Sequence, residues 1–311
     1  MRAETTRSGL TESTNRTSAI ALDADGAVLL EWGEPDRPLF YRSAIKPLQA
    51  TASLEAGAHL TPESLALACA SHSGSPAHIA HVQLILEQAG LDEGALRTPP
   101  SWPLAPESVA RLHQQGHRTP RRIFHNCSGK HAAWLAGSRA AGYPLESYLD
   151  PAHPIQVASA SIVADATHLD PRPVGVDGCG APTLRGSIRA LARGFATLSS
   201  SARFAAAAGA MRRFSSLCGG NTFPDGRIAA WWPGPLKGGA EGLLAAGREG
   251  IGIAVKSEAG SRSIAAMAMM EAMRRLGTLS TAALDALEDV ARPPILGGGR
   301  VVGRIEPLNA D

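Results

Sequence analysis

The sequence predicts an α/β fold of the α+β kind: a mainly antiparallel sheet flanked by helices, with a helical lobe set between its terminal strands. Strand patterns stand near both ends of the chain, and helical periodicity of apolar residues fills the middle. The third observation is compositional. Apolar residues make up 44% and charged residues 19% of 311, enough to build a sizeable core, and the length admits two domains or one large one. Gly occupies 33 positions, well above the usual roughly 7%, so turns are frequent.

Residues 17–22 and 27–32 read as strands joined by Asp23-Ala24-Asp25-Gly26, a turn whose Asp-Gly pair tolerates positive φ. From Ser43 the pattern becomes helical, and Pro47 is accepted there only within a first turn, where an N–H has no partner to lose. Ile79, Val82, Leu86 and Ala89 share a helix face that ends at Gly90. Residues 102–106 form a Pro-bearing connection, and 95–122 read as loop. Helices follow over 130–141, 155–167 and 187–198, so the helical region spans about 43–216. Strands return at 227–232 and 251–255, within a terminal segment 227–305 expected to share a sheet with 17–32. Ala265, Ala268, Met269, Ala272, Met273 and Leu276 keep spacings of three and four, a core-facing stripe.

The formal charge of +2 and the 5% aromatic content argue against nucleic-acid partners, which call for a basic face or stacking rings. No apolar stretch approaches the roughly 18 residues of a membrane span, and the polar first 14 residues lack a signal-peptide pattern. A cytoplasmic protein with reduced thiols is expected. On that ground the glycosylation patterns at Asn15-Arg16-Thr17 and Asn126-Cys127-Ser128 are discounted.

Only four of 30 basic residues are Lys: Lys46, Lys130, Lys237 and Lys256. A guanidinium keeps its proton, whereas a desolvated amine loses it and becomes a base or a metal ligand, so lysines kept in an Arg-rich chain are candidates for chemistry. Ser43-Ala44-Ile45-Lys46 sets a hydroxyl and an amine one turn apart. With 26 serines and four lysines in 311 residues, about 0.3 such pairs arise by chance. Order adds weight. Ser43-x-x-Lys46, then Ser71-His72-Ser73, then Lys237-Gly238-Gly239 follow the S-x-x-K, S-D-N, K-T-G succession of serine β-lactamases and penicillin-binding proteins, the last two as degenerate matches. Bringing Ser71 and Lys237 beside Ser43 and Lys46 makes two Ser–Lys pairs, each amine depressing the other's pKa.

Other motifs fall away. Ser128-Gly129-Lys130-His131 resembles a Walker A ending, but Phe124 and His131 stand where Gly and Ser/Thr are required. No G-x-S-x-G elbow or H-E-x-x-H is present, and His78, His81 and His113 read as ordinary surface or core residues. Cys127 and Cys179 lie in Gly-bearing tight segments. With Lys130 they compose a candidate zinc site with room for a further oxygen ligand; a cysteine nucleophile and buried core thiols are the alternatives.

At this point the chain resembles a known family, the Rhizobium-type (thermolabile, asparaginase II) L-asparaginases. The matching blocks are Arg42-Ser43-Ala44-Ile45-Lys46-Pro47-Leu48-Gln49-Ala50, Cys69-Ala70-Ser71-His72-Ser73-Gly74, His125-Asn126-Cys127-Ser128-Gly129-Lys130-His131, Gly175-Val176-Asp177-Gly178-Cys179-Gly180-Ala181-Pro182-Thr183, Lys237-Gly238-Gly239-Ala240-Glu241-Gly242 and Gly252-Ile253-Ala254-Val255-Lys256. They run in family order over most of the chain. The resemblance implies a single domain over 1–311 with a serine β-lactamase/glutaminase-like fold, hydrolysis of asparagine to aspartate and ammonia, a homodimer, and zinc. It implies catalytic roles for Ser43, Lys46, Ser71 and Lys237, zinc ligation by Cys127, Lys130 and Cys179, and substrate- or metal-orienting roles for Arg42, His131 and Asp177.

Two departures stand out. Asn15 replaces a His in Glu12-Ser13-Thr14-Asn15-Arg16, and Gly219-Gly220-Asn221-Thr222 lacks the Asp of the family's G-R-x-D-T, an acidic anchor for a substrate amino group. A β-lactam-processing acyl hydrolase and a catalytically silent zinc-binding homologue are the competing functional expectations.

Overall fold

In a computed structural model, which describes residues 1–220 and 222–308, the chain opens with β1 (Arg2–Arg7), the long β2 (Leu10–Leu22) and β3 (Val28–Trp32). The expected hairpin is present: Asp23 Oδ1 accepts from the Asp25 and Ala27 amides at 3.0 and 2.8 Å, and Gly26 takes φ 88°. The helical lobe follows. After β4 (Leu39–Phe40) come α1 (Lys46–Glu55), α2 (Pro62–Ala68), α3 (Pro76–Gln88), α4 (Pro106–Gln114), α5 (Ser128–Ala140) and α6 (Pro154–Thr167). Short strands β5 (Gly175–Val176), β6 (Pro182–Thr183) and β7 (Arg185–Gly186) lead to α7 (Ile188–Ser200), α8 (Ala205–Arg213), α9 (Ser215–Cys218) and α10 (Pro224–Ala229). The chain then returns to the sheet with β8 (Leu236–Gly239), β9 (Leu243–Arg248) and β10 (Ile251–Ser257), crosses its face as α11 (Arg262–Arg275), α12 (Thr281–Ala286) and α13 (Glu288–Ala291), and ends on β11 (Pro294–Gly297) and β12 (Arg300–Leu308).

The eight-stranded sheet runs β11-β12-β1-β2-β10-β9-β8 with β3 also on β2, and its pairs are antiparallel. β2 is its joint. Residues up to Arg16 pair with β1, and those from Thr17 onward pair with β10. The two ends of the chain therefore meet in one sheet, with Arg2 opposite Leu308.

Strand alternation gives the sheet two apolar faces. Ile20, Leu22, Leu243, Ala245 and Ala254 join the core of the helical lobe, while Ala19, Ala21, Leu244, Ala246, Ile253 and Val255 join a second core under α11. α7 lies so close to the sheet that a Cβ at Gly252 would overlap the Ala192 carbonyl and one at Gly247 the Phe195 carbonyl. Glycine is required at both by that approach, not by backbone conformation. α11 is started by Ser261, whose Oγ accepts from the Ile264 amide, and its apolar stripe is buried as the spacing predicts.

Two expectations need correction, and one strand is new. Residues 227–232 are not a strand: 227–229 close α10 and a turn follows, because Pro224 starts a helix there and Ile228 and Trp232 are buried in the core under α11. The terminal sheet segment accordingly begins at Leu236. The loop expected over 95–122 contains α4, a short helix opened by Pro106 with only Ser108 and Leu112 buried, set in a Pro-bearing stretch whose breakers read as loop. The polar N-terminus is a strand, β1, whose partners β2 and β12 supply what its own side chains do not. All four cysteines are unpaired and buried. Among the described residues no helix is long and apolar enough to cross a membrane.

Candidate active site

Four segments converge on a cavity of ≈ 200 Å³ lined by Ser43, Ser71, Asn126, Asp225, Lys237 and Arg262 among others. That is smaller than the roughly 300–1,000 Å³ of drug-sized ligand sites. It suits a metabolite of few heavy atoms.

The first segment is a 3-10 turn, Arg42–Ile45, that feeds α1. Pro47 lies in the first turn of α1 as expected. Arg42 holds φ at 49°, a left-handed value that a non-glycine residue keeps only when its surroundings impose it, at about 1–3 kcal/mol. The imposing group is Asp177, whose Oδ1 accepts from Arg42 Nη2 at 2.7 Å and Nε at 2.8 Å. The loop carrying Asp177 and Cys179 thus fixes the backbone immediately before Ser43.

The second and third segments are stitched together. The His72 amide donates to the Asn126 carbonyl at 3.1 Å, and His72 Nε2 meets Ser128 Oγ at 2.8 Å. Ser128 Oγ donates its own proton to the Ile123 carbonyl at 2.8 Å. It must accept from His72, which places the imidazole proton on Nε2. Burial holds His72 well below the usual histidine range, so the ring is neutral and rigid.

The fourth segment is β8, which brings Lys237. Lys46 Nζ donates to Ser71 Oγ at 3.0 Å and to the Ala70 carbonyl at 2.6 Å. Lys237 Nζ donates to the same Ser71 Oγ at 3.1 Å and to the Gly238 carbonyl at 2.6 Å. Both amines are buried, 0% and 3% exposed. Burial, followed by the charge of Lys46, pushes Lys237 down from 10.5 to about 8, against the opposing pull of Asp225. The arrangement differs from the spacing argument in one respect. Lys46 bonds Ser71, while Ser43 Oγ has no hydrogen-bond partner among the described residues and faces the cavity. The reason is the 3-10 turn: Lys46 is the first residue of α1, and its side chain runs inward to the end of α2.

Behind this pair lie the candidate metal ligands. Cys127, Lys130 and Cys179 are 4%, 3% and 1% exposed, and Lys130 Nζ stands 3.8 Å from Cys179 Sγ. A hydrogen bond from Cys179 holds Cys127 well below the usual thiol range, helped by the nearby Lys46 charge, and the same contact with burial drives Cys179 upward. The two sulfurs share one proton. Among the described residues no three His, Cys, Asp or Glu side chains converge to hold a metal, and the third member of the expected set is the Lys130 amine beside Cys179. Two thiolates and an amine form a donor set that fits zinc.

The remaining sequence candidates separate. Arg42 and Asp177 pair with each other at the site's edge. His131 is fully buried, with Nδ1 on the Tyr148 hydroxyl at 2.8 Å and Nε2 without a partner, and it does not line the cavity. Lys256 binds the Glu241 and Ser257 carbonyls away from Ser71. Asn221 lies outside the described residues. Two cavity residues carried no signal in the sequence: Asp225 stands at the start of α10, just before the stretch expected as a strand, and Arg262 opens α11, a helix marked only by its apolar stripe.

A family model described as L-asparaginase II matches residues 3–307. A search of curated proteins returned no match. Among solved structures, one described as "Crystal Structure Analysis of Mglu" aligns with a TM-score of 0.46 and 14% identity over 85% of this chain and 67% of that one, a likeness too loose to carry an argument.

Proposed function

Since the chain belongs to the L-asparaginase II family, we propose that it hydrolyses the side-chain amide of L-asparagine to aspartate and ammonia through a covalent serine intermediate. The observation that carries this reading is Ser71 Oγ held between the Lys46 and Lys237 amines in the cavity that Ser43 faces. Ser43 is the nucleophile. Its hydroxyl is unengaged, whereas Ser71 already accepts from two amines and has only its own proton left to give.

In the forward step Ser43 Oγ bonds to the amide carbon and its proton enters the Lys46–Ser71–Lys237 chain: Lys46 takes it while giving one of its own to Ser71, and Ser71 passes its proton to Lys237, the member poised to be neutral near pH 8, which becomes the ammonium. The oxyanion is met by backbone N–H groups at the free edge of β8. The C–N bond then breaks as Ser71 gives its proton to the departing nitrogen, which leaves as ammonia, and the Lys237 ammonium formed in the first step restores the Ser71 proton. Water hydrolyses the β-aspartyl ester by the reverse proton path. Zinc, if held by Cys127, Lys130 and Cys179, would tie together the segments that carry them and could take a water or substrate oxygen as a further ligand. Arg42 and Asp177 keep Ser43 in place. The relay of one hydroxyl between two lysines is the reason to retain the β-lactamase/glutaminase-like description, and a cytoplasmic homodimer completes the reading.

Ammonia release from L-asparagine and L-glutamine tests the activity, with nitrocefin as the β-lactam control. Trapping with a slow ester analogue and peptide mass spectrometry is expected to place the adduct on Ser43. An adduct on Ser71 overturns the nucleophile assignment alone, one on Cys127 or Cys179 overturns the mechanism, and nitrocefin turnover without ammonia release overturns the substrate.

A further inference from the structure

The acidic anchor expected at residues 219–222 is absent from the sequence, yet the cavity is not without acid. Asp225, at the start of α10, is the only Asp or Glu among the cavity's lining residues. Its Oδ2 lies against Gly238, where a Cβ would collide with it. Its Oδ1 is buried and has no hydrogen-bond partner. A buried carboxylate oxygen left unpaired is costly. Lys237, which lines the same cavity, does not relieve it: its Nζ donates to Ser71 and Gly238.

Arg262 lines the same cavity from the first residue of α11. Its guanidinium rests over the Phe223 ring at 4.1 Å, which fixes the planar group. Arg262 makes no ion pair or hydrogen bond among the described residues, in a chain whose other cavity-lining charges are Asp225 and Lys237. One unpaired anion and one unpaired cation thus flank a small cavity whose remaining polar groups are the Ser–Lys cluster.

We propose that Asp225 and Arg262 form an amino-acid clamp in which the Asp225 carboxylate accepts from the α-ammonium of the ligand and Arg262 binds its α-carboxylate, so that the site selects zwitterionic α-amino acids over plain amides. This deepens the reading above by naming the groups that choose the substrate class. Gly238 belongs to the same design: any side chain there would displace the Asp225 carboxylate.

The test is calorimetric binding of the product and two truncated relatives, which needs no turnover. L-Aspartate carries both groups, succinate lacks the ammonium, and β-alanine lacks the α-carboxylate. Wild-type protein is expected to bind L-aspartate at least about tenfold more tightly than either relative, the size of one charge-assisted hydrogen bond. Asp225→Asn is expected to weaken L-aspartate and β-alanine by about tenfold or more and to leave succinate within about twofold. Arg262→Gln is expected to weaken L-aspartate and succinate while sparing β-alanine. A variant that loses all three ligands equally, or none, overturns the clamp, as does a wild-type protein with no preference for L-aspartate. The readings fail separately. Binding as expected without ammonia release removes the proposed reaction and keeps the clamp, whereas asparagine hydrolysis with binding unchanged in both variants does the reverse.

Discussion

Lys237 offers the sharpest check on the chemistry, through pH. An ordinary lysine amine near 10.4 is neutral in only about one molecule in 2,500 at pH 7. Burial and the Lys46 charge bring Lys237 to about 8, where about one in ten is neutral at the same pH. The environment therefore multiplies the base-competent form by about 200-fold. If the neutral amine is needed, log kcat/KM for ammonia release rises with a slope near one below pH 8 and flattens above it. Succinamate makes the measurement clean, since it has no amine of its own to titrate. The perturbation is Asp225→Asn. The Asp225 charge raises the Lys237 pKa, so its removal moves the limb to lower pH. A flat profile between pH 6 and 9, a limb near 10.4, or an upward shift in Asp225→Asn would refute the assignment.

Lys46→Arg and Lys237→Arg preserve charge but remove any neutral amine, and each is expected to abolish ammonia release; retained turnover identifies the residue as structural. Elemental analysis of protein prepared without chelator is expected to find about one zinc per chain, missing in Cys127→Ser and Cys179→Ser and released as pH falls, because thiolate and amine ligands must be deprotonated. Active protein without zinc sinks that site. Gly252→Ala drives a methyl into the Ala192 carbonyl and is expected to lose about 1–3 kcal/mol in denaturant unfolding. Gly209→Ala in α8, where a Cβ meets nothing, is expected to gain up to about 1 kcal/mol, and equal effects at the two sites would contradict the packing described.

What the sequence determined by itself is local or order-dependent. The hairpin over 17–32, the helices from 130, 155 and 188, and the stripe of α11 follow from periodicity and turn chemistry, which neighbours in the chain dictate. The candidate residues were legible because lysines are scarce and the motif blocks are ordered. Only the tertiary structure decided how they connect. The spacing of Ser43 and Lys46 suggested a bonded pair, but a 3-10 turn sends the Lys46 amine to Ser71, a partner brought from 25 residues away. β1 and α4 were invisible for separate reasons: a polar strand draws its stability from neighbours across the sheet, and a short helix among prolines reads as loop when its Pro serves as the first helical residue. Asp225 shows the limit most plainly. An acidic residue in a short Pro-led helix has nothing in its own segment to mark it, and its significance arises when β8 and α11 fold against it and leave one carboxylate oxygen buried without a partner.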